Sequence, residues 1–380
     1  MDKYWDSEDI FFDGDQYFDQ MFKDIDDARE LITIEVYIFN DDFIGKEMAS
    51  RLIQAHKRGV KINLMVDGIG SYDFFDKLYA RFSAVGIPVK IYNPLPFIHP
   101  YYEKLNLRKK LQTFLKRMWR LNSRNHRKIF TIDRHIMFTG SFNVSAEHTS
   151  HHHEKSWKDM GVRVTGENVR LALFYFKKIW NFREFLRYRK VVSHLLGKKN
   201  KNSPLRLNHS LFMRRFYYRD LLYKINHSES RIWLMTPYFI PKSRLIRNLA
   251  KAAQKGCDVR IIISARSDVN FFQSLQFFYF PYLMQKGVKI FLYDQTILHS
   301  KNFIIDDWIT VGSSNLNHRS FLHDLEVDLS IQNQSNKEKI ETNFIESATV
   351  ENEFTIEHLK QRTVFDKLLS RLFFLFKYWF

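Results

Sequence analysis

The chain has 380 residues, 45% of them hydrophobic, and carries 59 Lys and Arg against 42 Asp and Glu, a net charge of +17. That length favours two domains or two fused halves, and the composition excludes a disordered chain. One cysteine, Cys257, excludes an internal disulfide. Uncharged apolar runs stay short of the roughly 18 residues a membrane span needs, and the start, MDKYWDSEDIFFDG, lacks the basic and apolar regions of a signal peptide. The expectation is therefore a soluble or peripheral protein whose basic surface attracts a polyanion, either nucleic acid or anionic lipid.

Read in chain order, a helical pattern over 17–29 precedes an apolar strand over 31–39. A second helix over 45–58 ends at Gly59 and is followed by the strand VKINLMVDG. A third helix, Gly86 and the strand IPVKIY complete the series. The same order then recurs: helix 215–228, strand 231–239, helix 243–255 with Gly256, strand CDVRIIIS, a Phe-rich helix near 271–282, Gly287 and VKIFLY. Helices closed by Gly and followed by short β-branched strands predict alternating β and α units on a parallel or mixed sheet. Meeting the series twice predicts a duplicated fold. The polar, basic segment 195–205 reads as the link between the first half, 1–195, and the second, 205–350.

Each half carries one further pair of strands around a shared motif. The first is His126-Arg-Lys128 with Asp133, then Gly140-Ser141-Phe-Asn143. The second is His299-Ser-Lys301 with Asp306, then Gly312-Ser313-Ser-Asn315. On a strand, residues two apart share a face, so each His stands beside a phosphate-binding Lys. Ser141, Asn143, Ser313 and Asn315 follow on the next strand of each hairpin, where they can donate to phosphate oxygens. Two such faces together suit a phosphodiester and its five-coordinate transition state. His148, His151, His152 and His153 form a cluster with no standard zinc spacing and no supporting Cys, and read as a polar loop near the pocket mouth.

The halves differ in length between the third strand unit and the motif, which places an insertion in the first half near 94–124. Within it, Leu107, Leu111, Phe114, Leu115 and Met118 recur at helical spacing among Arg108, Lys109, Lys110, Lys116, Arg117, Arg120 and Arg124. That is the pattern of a basic amphipathic helix lying on an anionic membrane. The tail 355–380 repeats it, with Phe365, Leu368, Leu369, Leu372 and Phe376 on one face. The aromatics share apolar faces with Leu, which favours lipid over nucleic acid.

These residues resemble the phospholipase D superfamily, closest to the short bacterial cardiolipin synthases without N-terminal membrane helices. The resemblance is carried by Glu35-Val-Tyr-Ile-Phe39, Asp67-Gly-Ile-Gly-Ser71, HRKIFTID running into GSFNVSAEH, Trp157-Lys-Asp159, Tyr238-Phe239 and HSKNFIIDDWITVGSSNLNHRSF with Glu326. Ser141 departs from the Gly-Gly of close relatives, and the His-rich loop is a second departure. The resemblance implies two pseudo-symmetric α-β-α halves, each a central mixed sheet flanked by helices, with the active site between them. It implies a covalent phosphohistidine on His126 with His299 as acid and base, or the same roles exchanged, with phosphate held by Lys128 and Lys301 and with Asp159 and Glu326 as carboxylates behind the histidines. Asp133 and Asp306 complete the motifs, as supports of the strands. No metal or other cofactor is implied. The implied reaction condenses two phosphatidylglycerols to cardiolipin and glycerol on the inner face of a bacterial cell membrane. Hydrolysis to phosphatidic acid, a nuclease activity and a catalytically dead membrane scaffold are the alternatives.

Overall fold

The computed structural model describes residues 4–75, 77–95, 106–118, 122–151, 156–181, 203–266 and 276–361. The expected tail helix past residue 361, most of the 195–205 link, His152, His153 and residues 271–275 of the Phe-rich helix lie outside these.

In the first half, β1 (Ser7–Phe11), β2 (Leu31–Val36), β3 (Lys61–Asp67), β4 (Val89–Tyr92), β5 (Ile129–Ile132), β6 (Ile136–Gly140) and β7 (Gly161–Thr165) form one mixed sheet. Its order is β1-β7-β6-β5-β2-β3-β4. β2, β3 and β4 run parallel, whereas β5, β6, β7 and β1 add antiparallel. LITIEV occupies the centre because it is buried almost throughout, as a strand covered on both faces must be. The second half supplies β8 (Leu205–Leu207), β9 (Arg231–Met235), β10 (Phe239–Ile240), β11 (Asp258–Ser264), β12 (Lys289–Tyr293), β13 (Asn302–Ile305), β14 (Trp308–Gly312), β15 (Leu316–Asn317) and β16 (Val327–Ser330). Seven of these form the sheet β12-β11-β9-β13-β14-β16-β8, the first order strand for strand, while β10 and β15 pair apart.

Three of the helices that flank the sheets begin at side-chain caps. Asp13 accepts from the Gln16 amide (2.9 Å) at helix Gly14–Asp27, Asp42 from Gly45 (2.9 Å) at Phe43–Lys57, and Ser210 from Met213 (3.3 Å) at Leu211–Asn226. Each half buries its own helix-side core. A third core lies between the sheets, where Met137, Val162 and Val164 meet Ile304, Ile309, Val311, Val327 and Leu329. The sheets therefore pack face to face, and their strand ends converge along one seam.

Several expected elements are shorter in the structure. The strand expected over 31–39 stops at Val36, because side chains take over from the ladder: Asn143 Oδ1 accepts from the Ile38 amide (3.2 Å) and Ser71 Oγ from the Phe39 amide (3.0 Å). Its counterpart over 231–239 breaks at Pro237, which has no amide hydrogen to donate. In the described end of the Phe-rich helix, Phe280–Gln285, Phe280 and Leu283 are buried in the core and Tyr282 is exposed. The insertion does leave between β4 and β5 and contains helix Leu107–Met118. Asn93 anchors its base by donating to the Ser123 carbonyl (2.8 Å).

Candidate active site

The segment entering β5 reads Asn125-His126-Arg127-Lys128, and alternation sends its members two ways. Asn125 Nδ2 and Arg127 Nη1 both donate to the buried Glu35 of β2, at 2.8 and 3.2 Å. Arg127 reaches on to the carbonyls of Asn208 (2.5 Å) and Glu326 (3.3 Å), so it ties the halves together. His126 and Lys128 point to the seam.

Each motif histidine is stitched beside an acid of the opposite half. The His126 amide donates to the Leu325 carbonyl (3.0 Å), next to Glu326, and the His299 amide to the Lys158 carbonyl (2.9 Å), next to Asp159. The rings follow. His126 Nδ1 lies 3.1 Å from Glu326 Oε2 and 3.0 Å from the Ser313 carbonyl. His299 Nδ1 lies 2.7 Å from Asp159 Oδ1. With Nδ1 engaged in both, Nε2 is the nitrogen left for chemistry.

Gly140 and Gly312 explain how β6 and β14 come so near these acids. A Cβ on Gly140 (φ 138°) would sit 2.4 Å from the Met160 carbonyl oxygen, and one on Gly312 would sit 2.3 Å from that of Val327. This approach commits the next residue of each motif. Ser141 Oγ donates to the Met160 carbonyl (3.2 Å) and accepts from its amide (3.0 Å). Ser313 Oγ donates to Glu326 Oε2 (2.5 Å) and accepts from the Val327 amide (3.0 Å). Ser141 and Ser313 thus lock the acid-bearing strands. Asn143 and Asn315 keep unengaged amide atoms: among the described residues, buried Asn143 Nδ2 and Asn315 Oδ1 have no hydrogen-bond partner.

Lys128 and Lys301 are buried, and each ammonium donates to the carbonyl of its own motif histidine. The Lys128 ammonium retains further donors for an anion. Burial pushes Lys128 down to about 8, against the pull of Glu326 and Asp159. His126 is held well below its ordinary value by burial, then by Lys128 and Lys301. Burial and Lys301 do the same to His299. The cations of both motifs therefore act on His126, and its own lysine on His299. The carboxylates behind them differ. Burial raises Glu326 to about 7, whereas at Asp159 burial is outweighed by His299 and His148, which hold it well below the usual range.

Asp133 and Asp306 stand at the hairpin turns, with φ of 48° and 49°. Asp133 accepts the amides of Arg29, Glu30 and Leu31 at 2.7–3.0 Å, and Asp306 those of Glu229, Ser230 and Arg231 at 3.0–3.1 Å. Those amides open β2 and β9, roughly 20 Å of extended chain from the histidine end. The motif acids thus fasten strands, in the supporting place the resemblance implies for them.

The reading of His148 is corrected. It is buried in the 3-10 turn Ala146–His148, where Nδ1 donates to Asp159 Oδ2 (2.7 Å) and Nε2 accepts from the Asn143 amide (3.2 Å). Its ligating atom and those of Asp159 and His299 lie within 4.8 Å of one another. A cation there would displace two protons already shared with Asp159. The sequence reading also missed Arg127 and Asn125, although an acid inside a buried strand such as LITIEV signals a basic partner elsewhere.

Two like halves, each giving a His-x-Lys pair to one seam and a carboxylate to the other's histidine, define a two-histidine phosphodiester enzyme of the duplicated phospholipase D class. The chain belongs to the family described as cardiolipin synthase, PLD-like domain, whose model matches residues 21–180 and 221–348. It is 28% identical over 373 residues to a cardiolipin synthase of Clostridium perfringens (strain SM101 / Type A), covering 95% of this chain and 74% of that protein. Cardiolipin synthase 1 of Staphylococcus aureus (strain COL) is 28% identical over 372 residues, covering 96% and 72%. Among solved structures, phosphatidylserine synthase of Haemophilus influenzae Rd KW20 superposes with a TM-score of 0.70 at 14% identity, covering 98% of this chain and 95% of that one. Polyphosphate kinase of Porphyromonas gingivalis gives 0.56 at 11%, covering 89% and 50%. These structures speak for the fold alone, and they agree with the expected pseudo-symmetric α/β architecture.

Proposed function

We propose that this enzyme is a cardiolipin synthase that moves a phosphatidyl group from one phosphatidylglycerol to another through a phosphohistidine. The observation that carries the reading is the crossed pairing of His126 with Glu326 and His299 with Asp159. Neutral His126 attacks phosphorus through Nε2, and the bond to the glycerol oxygen breaks. His299 protonates that oxygen, then takes the proton of the incoming lipid hydroxyl as the phosphorus–nitrogen bond breaks. The anionic diester offsets the cations that depress His299, so its acid form is populated once substrate is bound. Lys128, Lys301, Asn143 and Asn315 hold the phosphate oxygens.

Surface chemistry favours a lipid partner. On helix Leu211–Asn226, Phe212 (74% exposed), Phe216 (51%) and Tyr223 alternate with exposed Arg215 and Arg219. The helix begins three residues after Asn208, whose Oδ1 holds the Glu326 amide (2.8 Å). Arg244 and Arg247 are exposed on the helix packed against it, and Leu111 is 60% exposed on the insertion helix. Aromatics interleaved with arginine on one face suit an anionic bilayer interface. No helix of the described residues is long and apolar enough to cross a membrane. The contact proposed through this face is peripheral, on the cytoplasmic leaflet.

Purified enzyme incubated with phosphatidylglycerol vesicles should give cardiolipin and free glycerol by thin-layer chromatography. Phosphatidic acid alone would make it a hydrolase, and cleavage of plasmid DNA with no lipid product would make it a nuclease. The double variant F212S/F216S should lose sedimentation with these vesicles while turning over short-chain, monomeric phosphatidylglycerol normally. Unchanged sedimentation rules this face out.

A further inference from the structure

The two halves fill one position with different chemistry. Eight residues after the motif glycine stands His148 in the first half and Ser320 in the second. Both do the same two jobs. Ser320 Oγ accepts from the Asn315 amide (3.3 Å) and donates to Glu326 Oε1 (2.7 Å). His148 accepts from the Asn143 amide through Nε2 and donates to Asp159 Oδ2 through Nδ1. A hydroxyl can rotate away from either partner. An imidazole that accepts at Nε2 is fixed as the Nδ1–H tautomer and has one place to put that proton.

The oxygen facing each motif histidine differs too. Glu326 Oε2 is shared by His126 and the Ser313 hydroxyl, and His126 Nδ1 divides itself between that oxygen and the Ser313 carbonyl. Asp159 Oδ1 faces His299 alone among the described contacts, because Ser141 has turned to the Met160 backbone. Trp157 lies against both imidazoles on this side, with ring centroids 5.4 Å from each.

We infer that His148 is a positioning residue that fixes Asp159 on His299 and so makes His299, rather than His126, the proton-transferring partner. The inference rests on the phosphohistidine reading above. When phosphorus bonds to His126 Nε2 and the alkoxide leaves, the proton moves from His299 Nε2 to that oxygen. In the second step it returns from the incoming hydroxyl. His148 keeps its Nδ1 proton throughout and holds the carboxylate that supports the transient imidazolium.

The test imports the second half's arrangement into the first. In H148S, single-turnover formation of the phosphoenzyme from an alkyl phosphodiester should slow about tenfold or more, because an alkoxide needs the acid. With a p-nitrophenyl phosphodiester, whose leaving group departs without a proton, the rate should change less than about threefold. KM for both should hold. Equal losses on the two substrates, or none, would overturn the inference. Should H148S fail to fold, nitrogen-edited NMR of the histidine-labelled wild type decides. Two low-field Nδ1 protons, assigned to residues 148 and 299, support the inference, and a His148 proton on Nε2 defeats it. Both readouts use simple diesters or no substrate, so a wrong lipid assignment would appear separately, as aryl-ester turnover without cardiolipin.

Discussion

The two halves answer each other strand for strand, and at the seam residue for residue: Ser141 with Ser313, Asn143 with Asn315, Asp159 with Glu326. What they share is backbone geometry. A glycine lets one strand close on the next, a serine hydroxyl locks that approach, and the histidine segment of one half bridges to the acid segment of the other. What they do not share is the electrostatic setting of the acids. At Glu326 burial wins over Lys128 and two serine hydroxyls, and its pKa climbs to about 7. At Asp159 two imidazoles overcome the same burial. On the proposed mechanism, the duplicated scaffold places phosphorus between the halves, and divergence at two or three side chains divides the labour between two otherwise equivalent histidines.

The sharpest way to break this picture is to remove each histidine in turn. His126→Ala and His299→Ala should each cost about four orders of magnitude or more in kcat/KM, and the double variant little beyond that, because the two act as a unit. An additive double variant would mean independent sites. Detection of the phosphoenzyme by acid-labile radiolabel should fail in His126→Ala and survive, slowly formed, in His299→Ala. Label retained in the first variant and lost in the second would swap the roles.

Lys128 gives a smaller effect with a pH signature. Lys128→Ala should lower kcat by about 100-fold, as loss of one preorganised transition-state donor does. In the wild type, the ammonium form exists below its depressed pKa and disappears as pH rises through about 8. The rate should therefore fall above pH 8, approaching tenfold per unit. Both histidines lie well below 6.5, so kcat/KM should show no acid limb near 6.5. A limb at 6.5 would place a protonated histidine in the free enzyme.

Much of this architecture was legible before any coordinates. Strand and helix order follow from alternation and from the glycines that end helices, and the paired motifs follow from repetition. Three things stayed hidden, each for a physical reason. Ser141 and Ser313 occur at phosphate-compatible positions, and only the close strand approach enforced by Gly140 and Gly312 reveals that their hydroxyls are already engaged. His148 looked like the start of a polar loop because His151, His152 and His153 follow it, yet the turn at Ala146–His148 carries it inward. The network of Asn125 and Arg127 on Glu35 joins residues 90 and more positions apart, a separation that no local pattern encodes.

The smallest effects belong to the motif acids, and they separate holding a strand from making a bond. Asp133→Ala leaves three strand-opening amides without their acceptor at a partly solvated turn, a loss of about 1–3 kcal/mol that urea denaturation would register. The kcat/KM of the folded fraction should move less than about threefold. Asp306 adds a pH dependence of its own. Its amide and hydroxyl partners overcome burial and depress it to about 2 from 3.8, so its stabilisation is complete above about pH 4 and is lost as pH falls toward 2. Asp306→Asn should therefore flatten acid unfolding in that window while leaving turnover at neutral pH near wild type. A large fall in kcat at pH 7 with an unchanged urea midpoint would instead return the acid to the chemistry, and would mean that the hairpin turns communicate with the seam along the whole length of β5 and β13.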